Sequence, residues 1–247
     1  MEIPLKSDPK RAYRVLVTAR HIVDPAWANC ENGNPAKIYV RLNKKNYTPG
    51  SGLSGIDFVH IDLTEQGRPT WRHHDDGHVD AAVIPLKDQF ETFDTAAIPV
   101  ALFPTEEETS LQSIGDPVMS AGLMPGLTGN TRNYPIFKFG QISNIPPEDI
   151  ETRCSPSLPP SSVRVWLIAA NLVPGNSGSP IFHVPLGGSG VSFGGTRPML
   201  LGIQSISFPG ADVAGMTPIK YVYDILQSIE FPDSDLRRGV QTQPPVK

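Results

Sequence analysis

The stretch Pro174-Gly175-Asn176-Ser177-Gly178-Ser179-Pro180 places a serine between two glycines. Its glycine and proline content is typical of a tight turn and argues against a helix or a regular strand. A serine on such a turn exposes its hydroxyl close to backbone N–H groups, and attack on a carbonyl group requires both. The same residue types also dominate ordinary turns. The stretch by itself therefore leaves a plain turn and a nucleophile both open.

A nucleophilic serine needs a base and a group that orients the base, and the first half of the chain offers both. His21 follows a strand predicted over residues 13–18, and Asp80 lies at the start of an apolar strand predicted over residues 79–86. Histidine accepts a proton near neutral pH, and a carboxylate selects its tautomer. Two barrels that meet at a cleft would place His21 and Asp80 on one wall and Ser177 on the other.

The distribution of prolines and glycines predicts many short strands. The chain of 247 residues has 26 prolines and 22 glycines throughout its length, which favours strands joined by turns over long helices. Further strands are predicted over residues 36–42, 56–63, 118–121, 136–142, 163–169, 179–184 and 199–207. A single helix is predicted over residues 218–230, with Thr217 as its cap. We therefore predict an all-β fold of two six-stranded antiparallel barrels with a C-terminal helix.

The acidic stretch 104–116 contains proline and glycine, and we interpret it as the crossing between the two barrels. This gives an N-terminal barrel over residues 1–108 that carries the histidine and the aspartate. A C-terminal barrel with the serine and the helix follows over residues 109–231. A loose polar tail is predicted over residues 232–247, and a flexible loop over residues 187–195.

Composition excludes several classes of partner. The net charge of −4 without a basic block argues against nucleic acid as a partner. No apolar run approaches the roughly 20 residues that a membrane span requires. The first residues lack the apolar run of a signal peptide, and Cys30 and Cys154 are the only cysteines, which favours reduced thiols. These features predict a cytoplasmic protein; truncation of a leader would instead make it a secreted one.

Other residues compete for these roles. Asp75 and Asp76 are alternatives to Asp80, but they lie in a polar loop where exposed acids are expected. His73, His74 and His78 in the same loop offer metal ligands, but their spacing matches no closed metal site. We therefore predict a solvated loop, with no metal and no cofactor. The α/β-hydrolase arrangement is set aside because it needs a glycine where position 179 is serine, and the chain order serine, acid, histidine.

Four segments together resemble the chymotrypsin-like (trypsin-fold) serine peptidases. Thr18-Ala19-Arg20-His21 resembles the histidine motif of that family, and Val79-Asp80-Ala81-Ala82-Val83 resembles its aspartate strand. Gly175-Asn176-Ser177-Gly178-Ser179-Pro180 is similar to the segment around its nucleophile. Leu200-Leu201-Gly202-Ile203-Gln204-Ser205 is similar to the strand that lines its substrate cleft. The resemblance covers roughly residues 13–230. The closing helix is similar to that of the bacterial members of the family.

The resemblance implies a role for each matching residue. Ser177 would be the nucleophile, His21 the base and Asp80 the residue that orients the base. The backbone N–H groups of Gly175 and Ser177 would form the oxyanion hole.

The resemblance also implies where the substrate binds. Asn171 would lie at the floor of the pocket for the substrate side chain, Ser205 would hydrogen-bond the triad acid, and Ser207 would narrow the pocket entrance. Because position 171 is not an aspartate, we expect small or moderately apolar substrate side chains rather than arginine or lysine.

The chain departs from the family in one respect. Only 20 residues precede His21, so we expect the first barrel to lack a strand or the chain to be truncated. The resemblance implies a serine endopeptidase that acts on peptide or protein substrates through an acyl-enzyme. The alternative is a catalytically silent relative that binds a peptide or a partner in the same cleft.

Overall fold

The computed structural model describes residues 1–24, 26–29, 35–87, 90–124, 126–153, 157–184, 197–208 and 210–239. Most of its regular structure is β, as predicted. The strands of the first half are β1 (Glu2–Pro4), β2 (Ala12–Thr18), β3 (Lys37–Asn43), β4 (Ile56–Asp62), β5 (Thr64–Glu65), β6 (Arg68–Pro69), β7 (Arg72–His73) and β8 (Ala82–Pro85). The second half contains α1 (Glu106–Ser110), β9 (Pro117–Gly122), β10 (Ile136–Asn144), β11 (Ile150–Thr152), β12 (Ser161–Val163), β13 (Trp166–Ala169), β14 (Pro180–His183), β15 (Met199–Phe208), β16 (Val213–Pro218) and α2 (Ile219–Ser228).

The second half forms a closed antiparallel barrel of six strands, in the order β10-β13-β16-β15-β14-β9. β15 is its longest strand, and residues 199–205 are all buried. Register shifts interrupt the pairing in β10, β14 and β15, and such irregularities bend strands around a barrel. This half therefore agrees with the predicted C-terminal barrel.

The first half is not a closed barrel among the described residues. β1, β2, β8 and β7 form a four-stranded sheet, while β3 with β4 and β5 with β6 form separate two-stranded sheets. The described strands therefore do not show the predicted first barrel. β1 was not predicted: it pairs antiparallel with β2 and buries Ile3 completely.

The beginning of the predicted loose tail is hydrogen-bonded to the first half. The N–H of Lys6 donates to the carbonyl of Asp233 at 2.8 Å, and the N–H of Asp235 donates to the carbonyl of Pro4 at 2.7 Å. The N–H of Gly239 donates to the carbonyl of Phe103 at 3.1 Å. Residues 233–235 are therefore held beside the end of β1, and Gly239 is held at Phe103; the rest of the tail lies outside the described residues.

A hydrophobic core joins the two halves. Val15 and Val83 from the first sheet pack in one cluster with Leu200 of β15 and with Ile225 and Leu226 of α2. The apolar face of the C-terminal helix therefore packs at the junction of the halves. The helix begins at Ile219 with Pro218 at its cap position, so the prediction that Thr217 caps it is wrong; Thr217 lies in β16 instead.

Several short elements escaped prediction because their local sequences carry weak signals. β11 and β12 have three residues each, and β16 contains a glycine and ends in a proline. α1 lies inside the acidic stretch interpreted as a crossing and begins with a capping box between Thr105 and Glu108. The predicted loop at 187–195, Cys30 and Cys154 lie outside the described residues. No helix in the described part of the chain has the length and apolar character needed to cross a membrane.

His183 at the end of β14 should make the stability of the barrel depend on pH. Its side chain is buried, and burial lowers its pKa although Asp116 partly opposes the shift. The unfolded chain, with a histidine pKa of about 6.5, binds a proton below that pH that the folded chain does not bind. The free energy of unfolding should therefore fall as the pH falls from about 6.5 towards the lowered folded pKa.

The test replaces this histidine. We expect His183→Gln to lose less stability than the parent between about pH 7.5 and about pH 5.5 in urea unfolding, because the substitution removes the titrating group. His60→Gln, at an exposed position, is the matched control and should follow the parental pH dependence. A parental slope in His183→Gln would contradict the prediction.

Candidate active site

Ser177 lies on a turn that is hydrogen-bonded to β15 at the two residues that follow the serine. Gly175 and Gly178 have φ values of 91° and 86°, which are left-handed conformations that favour glycine. The N–H of Gly178 donates to the carbonyl of Gln204 at 2.7 Å, and the N–H of Gln204 donates to the carbonyl of Ser179 at 2.9 Å. β15 therefore holds the backbone that carries the Ser177 side chain.

His21 lies on a short 3-10 turn, Arg20–Ile22, directly after β2. Ala19 and Val23 on either side of the turn are buried, and Arg20 forms an ion pair with Asp24 at 2.9 Å. These contacts hold the turn in place, while the His21 side chain remains 16% exposed. The backbone that carries the imidazole is thus held in place, while the side chain is partly exposed.

Asp80 is fully buried just before β8, between the buried residues Val79 and Ala81. The preceding loop is attached to the second half, because the N–H of Arg164 donates to the carbonyl of His78 at 2.9 Å and the Arg164 guanidinium pairs with Asp76 at 2.9 Å. The buried position of Asp80 therefore depends on both halves of the chain.

The three side chains form a continuous hydrogen-bonded line. One Asp80 carboxylate oxygen lies 2.7 Å from His21 Nδ1, and the other accepts the His21 backbone N–H at 3.0 Å. Since an ionised carboxylate only accepts hydrogen bonds, Nδ1 carries the proton and Nε2 is left as the acceptor. Ser177 Oγ lies 3.0 Å from Nε2, in position to donate its proton. This arrangement can activate the serine as a nucleophile.

The predicted hydrogen bond from Ser205 to the acid is replaced by a relay through Thr217. The hydroxyl of Ser205 lies 3.0 Å from the hydroxyl of Thr217 and 3.3 Å from the carbonyl of Gly215. Thr217 Oγ1 in turn lies 3.3 Å from the backbone carbonyl of Asp80. β15 and β16 thus support Asp80 through its backbone, because Ser205 is hydrogen-bonded to Thr217 of the neighbouring strand β16.

The other predicted site residues lie around the Ser177 turn or on β15. Neither Gly175 nor Ser177 donates its backbone N–H in a hydrogen bond within the described residues, and their role as an oxyanion hole stays a prediction. Asn171 is exposed just beyond β13, and Ser207 is half-buried on β15, paired with Ala214. Their roles in substrate binding stay predictions.

Two of the competing residues of the polar loop, Asp76 and His78, are paired with other side chains. Asp76 pairs with Arg164, and the Nδ1 atom of His78 lies 2.6 Å from Asp149. The hydrogen bond from Arg164 holds the pKa of Asp149 below its usual range, with a further contribution from His78. The described residues contain no group of three or more histidines, cysteines or acids that could hold a metal ion.

Two buried amides beside Ser177 were missed by the sequence analysis. Gln204 donates from Nε2 to the carbonyl of Val173 at 3.3 Å, and Asn176 donates from Nδ2 to the carbonyl of Leu123 at 3.0 Å. Asn176 appeared in the sequence only as part of a turn motif. Its partner lies about fifty residues away, so no local pattern reveals it.

Comparison with known proteins gives structural likeness alone. No family model matches the chain, and no curated protein matches it in sequence. It is similar to the MamO protease domain from Magnetospirillum magneticum in its apo form, with 16% identity, coverage of 90% of this chain and 89% of that chain, and a TM-score of 0.48. A mutant of human heparin binding protein is 10% identical, with coverage of 92% of this chain and 88% of that chain and a TM-score of 0.47. An inactive mutant of the murine norovirus NS6 protease is 11% identical, with coverage of 83% of each chain and a TM-score of 0.41.

The contact between the Ser177 turn and β2 can be tested at Gly178. An added Cβ there would lie 3.0 Å from Thr18 Oγ1 and 3.1 Å from Thr18 Cα. Gly210 has a similar φ of +83° with nothing within 4 Å, so Gly210→Ala is a matched control for the backbone cost alone. Both alanine variants should lose about 1–2 kcal/mol from the left-handed conformation. We expect Gly178→Ala to lose about 1 kcal/mol more in chemical denaturation because of the clash, whereas equal losses would contradict the close packing.

Proposed function

We propose that the chain is a serine endopeptidase of the chymotrypsin-like family, acting through Ser177, His21 and Asp80. The observation that carries the proposal is the position of His21 between the two other side chains, at 2.7 Å from Asp80 and 3.0 Å from Ser177. These residues come from three distant parts of the chain. A histidine held only for structural reasons would not need both a buried carboxylate on one nitrogen and a serine on the other.

In the proposed reaction Ser177 Oγ bonds to the carbonyl carbon of a peptide bond while its proton moves to His21 Nε2. The backbone N–H groups of Gly175 and Ser177 donate to the carbonyl oxygen, which becomes an oxyanion. Collapse breaks the C–N bond, and His21 gives its proton to the departing amine. Water then attacks the acyl-enzyme with His21 as base, which releases the carboxylic acid and restores Ser177.

Asp80 acts in this proposal through charge and orientation. Its carboxylate holds the proton on His21 Nδ1 and stabilises the imidazolium that forms when Nε2 accepts the serine proton. Because Asp80 is buried, this charge is poorly screened by solvent, which strengthens its effect on the imidazole. The carboxylate itself stays ionised throughout.

The substrates proposed for this site are peptides or proteins with small or moderately apolar side chains at the cleaved bond. Asn171 and Ser207 are the residues proposed to contact that side chain, and neither carries a charge that would favour arginine or lysine. The halves proposed as structural units, residues 1–108 and 109–231, contribute His21 with Asp80 and Ser177 respectively. The site lies at their junction.

A fluorophosphonate probe tests the nucleophile directly. Ser177 Oγ should bond to its phosphorus with loss of fluoride, so the parent protein should be labelled once per chain, as measured by intact mass. Ser177→Ala should remain unlabelled, and Ser179→Ala, which removes the neighbouring hydroxyl of the same turn, should still be labelled. A folded parent that does not react would overturn the proposed enzyme and leave a peptide-binding or partner-binding module.

The contribution of the acid can be measured separately. Asp80→Asn replaces an acceptor by an amide that favours the wrong tautomer of His21, and the loss in kcat should be about 10⁴-fold. Hydrolysis of a peptide library, followed by mass spectrometry, gives the substrate for this measurement. Asp75→Asn, in the exposed part of the same loop, is the control and should retain parental kcat. A larger loss of kcat in Asp75→Asn than in Asp80→Asn would show that Asp80 is not the acid.

A further inference from the structure

The connection between β9 and β10 touches the Ser177 turn at its first residues. Asn176, which is 6% exposed, donates from Nδ2 to the carbonyl of Leu123 at 3.0 Å. A Cβ placed on the preceding Gly122 would lie 2.6 Å from Ser179 Oγ and 2.7 Å from Asn176 Nδ2. The end of β9 therefore packs directly against the residue that separates the two proposed oxyanion donors.

The orientation of the Asn176 amide is determined by this contact. Its Oδ1 atom is buried and has no hydrogen-bond partner among the described residues. Exchange of the two amide atoms would place Oδ1 against the carbonyl of Leu123, where two acceptors would repel each other. The bond to Leu123 is thus the one hydrogen bond of this side chain within the described residues.

The same connection is fixed to the first half at its other end. Asn133 and Asn43 form a reciprocal pair: the N–H of Asn133 donates to Asn43 Oδ1 at 2.7 Å, and Asn43 Nδ2 donates to the carbonyl of Asn133 at 3.2 Å. Asn133 Nδ2 also donates to the carbonyl of Arg41 at 2.8 Å, and Arg41 donates from its guanidinium to Asn133 Oδ1 and to the carbonyl of Gly129. Asn133 is 9% exposed, so this junction is largely shielded from water.

We propose that the β9–β10 connection is a strap that sets the oxyanion donors of Gly175 and Ser177, with Asn176 and Asn133 as its positioning residues. The strap comprises residues 123–124 and 126–133. It links the β3–β4 sheet in the first half to the peptide groups on either side of Asn176. Rotation of the Asn176 backbone would turn the N–H groups away from a substrate oxygen, and the bond to Leu123 opposes that rotation. The proposal rests on the proposed function.

The strap predicts a loss in turnover without a loss of the nucleophile. Asn176→Ala should lower kcat by about 10²-fold, as for loss of an oxyanion donor, and Asn133→Ala by about 10-fold through misplacement of the strap. KM should change little, and fluorophosphonate labelling should still reach one per chain because Ser177 and His21 are untouched. Asn144→Ala, at an exposed asparagine on β10, is the matched control and should keep parental kcat.

A conservative variant separates positioning from folding. Asn133→Asp keeps both backbone bonds to Asn43 and an acceptor for the Arg41 guanidinium but loses the donor to the Arg41 carbonyl, so its kcat should lie between those of Asn133→Ala and the parent. Parental kcat in both alanine variants, per labelled site, would overturn the strap. A kcat in Asn133→Asp no higher than in Asn133→Ala would overturn the role of Asn133.

Hydrogen exchange provides a readout that does not depend on catalysis. Backbone amides of residues 174–178 should exchange faster in Asn133→Ala than in the parent or in Asn144→Ala, measured by mass spectrometry on peptides of this segment. If the parent fails to react with the probe, the proposed function has failed and exchange alone decides the strap. Unchanged exchange would then overturn it, and faster exchange in Asn133→Ala would support it as a structural link.

Discussion

The buried carboxylate of Asp80 is the constraint on which the site depends. A charge without solvent contact is costly unless donors are held beside it, and His21 supplies two, its backbone N–H and its ring Nδ1. That arrangement fixes the imidazole and directs Nε2 towards Ser177. Because the His21 imidazole bonds to both Asp80 and Ser177, displacement of either partner would disturb all three side chains.

Asp80 lies in the first half of the chain, but its support comes from the second half. Thr217 in the barrel bonds to the Asp80 carbonyl, while Arg164 holds the loop before it. The apolar core formed by the first sheet, β15 and α2 joins the halves beneath the site. This shared core explains how a first half without a closed barrel among its described residues still holds His21 opposite the serine.

Much of the fold and the three central residues were predictable from local patterns. Clear periodicity, or glycines and prolines at their ends, marks the strands around His21 and Ser177 and the helix at 219–228. Their positions therefore agree with prediction to within a few residues. Thr217 was predicted as the helix cap because a threonine before a proline often precedes a helix. In the structure it pairs with Ile203 of β15 and therefore belongs to β16. Ser205 was expected to reach the acid, but its hydroxyl bonds across to Thr217.

The sequence by itself made Ser177, His21 and Asp80 candidates for a nucleophile, a base and an acid, because short motifs and strand patterns extend over only a few residues. It also determined the barrel-forming pattern of the second half. Only the tertiary structure decided that Asp80 rather than Asp76 contacts His21, and that the Leu123 carbonyl accepts a hydrogen bond from Asn176 of the Ser177 turn. Those choices depend on contacts between segments distant in the chain, where burial and hydrogen-bond geometry select among residues that look alike in sequence.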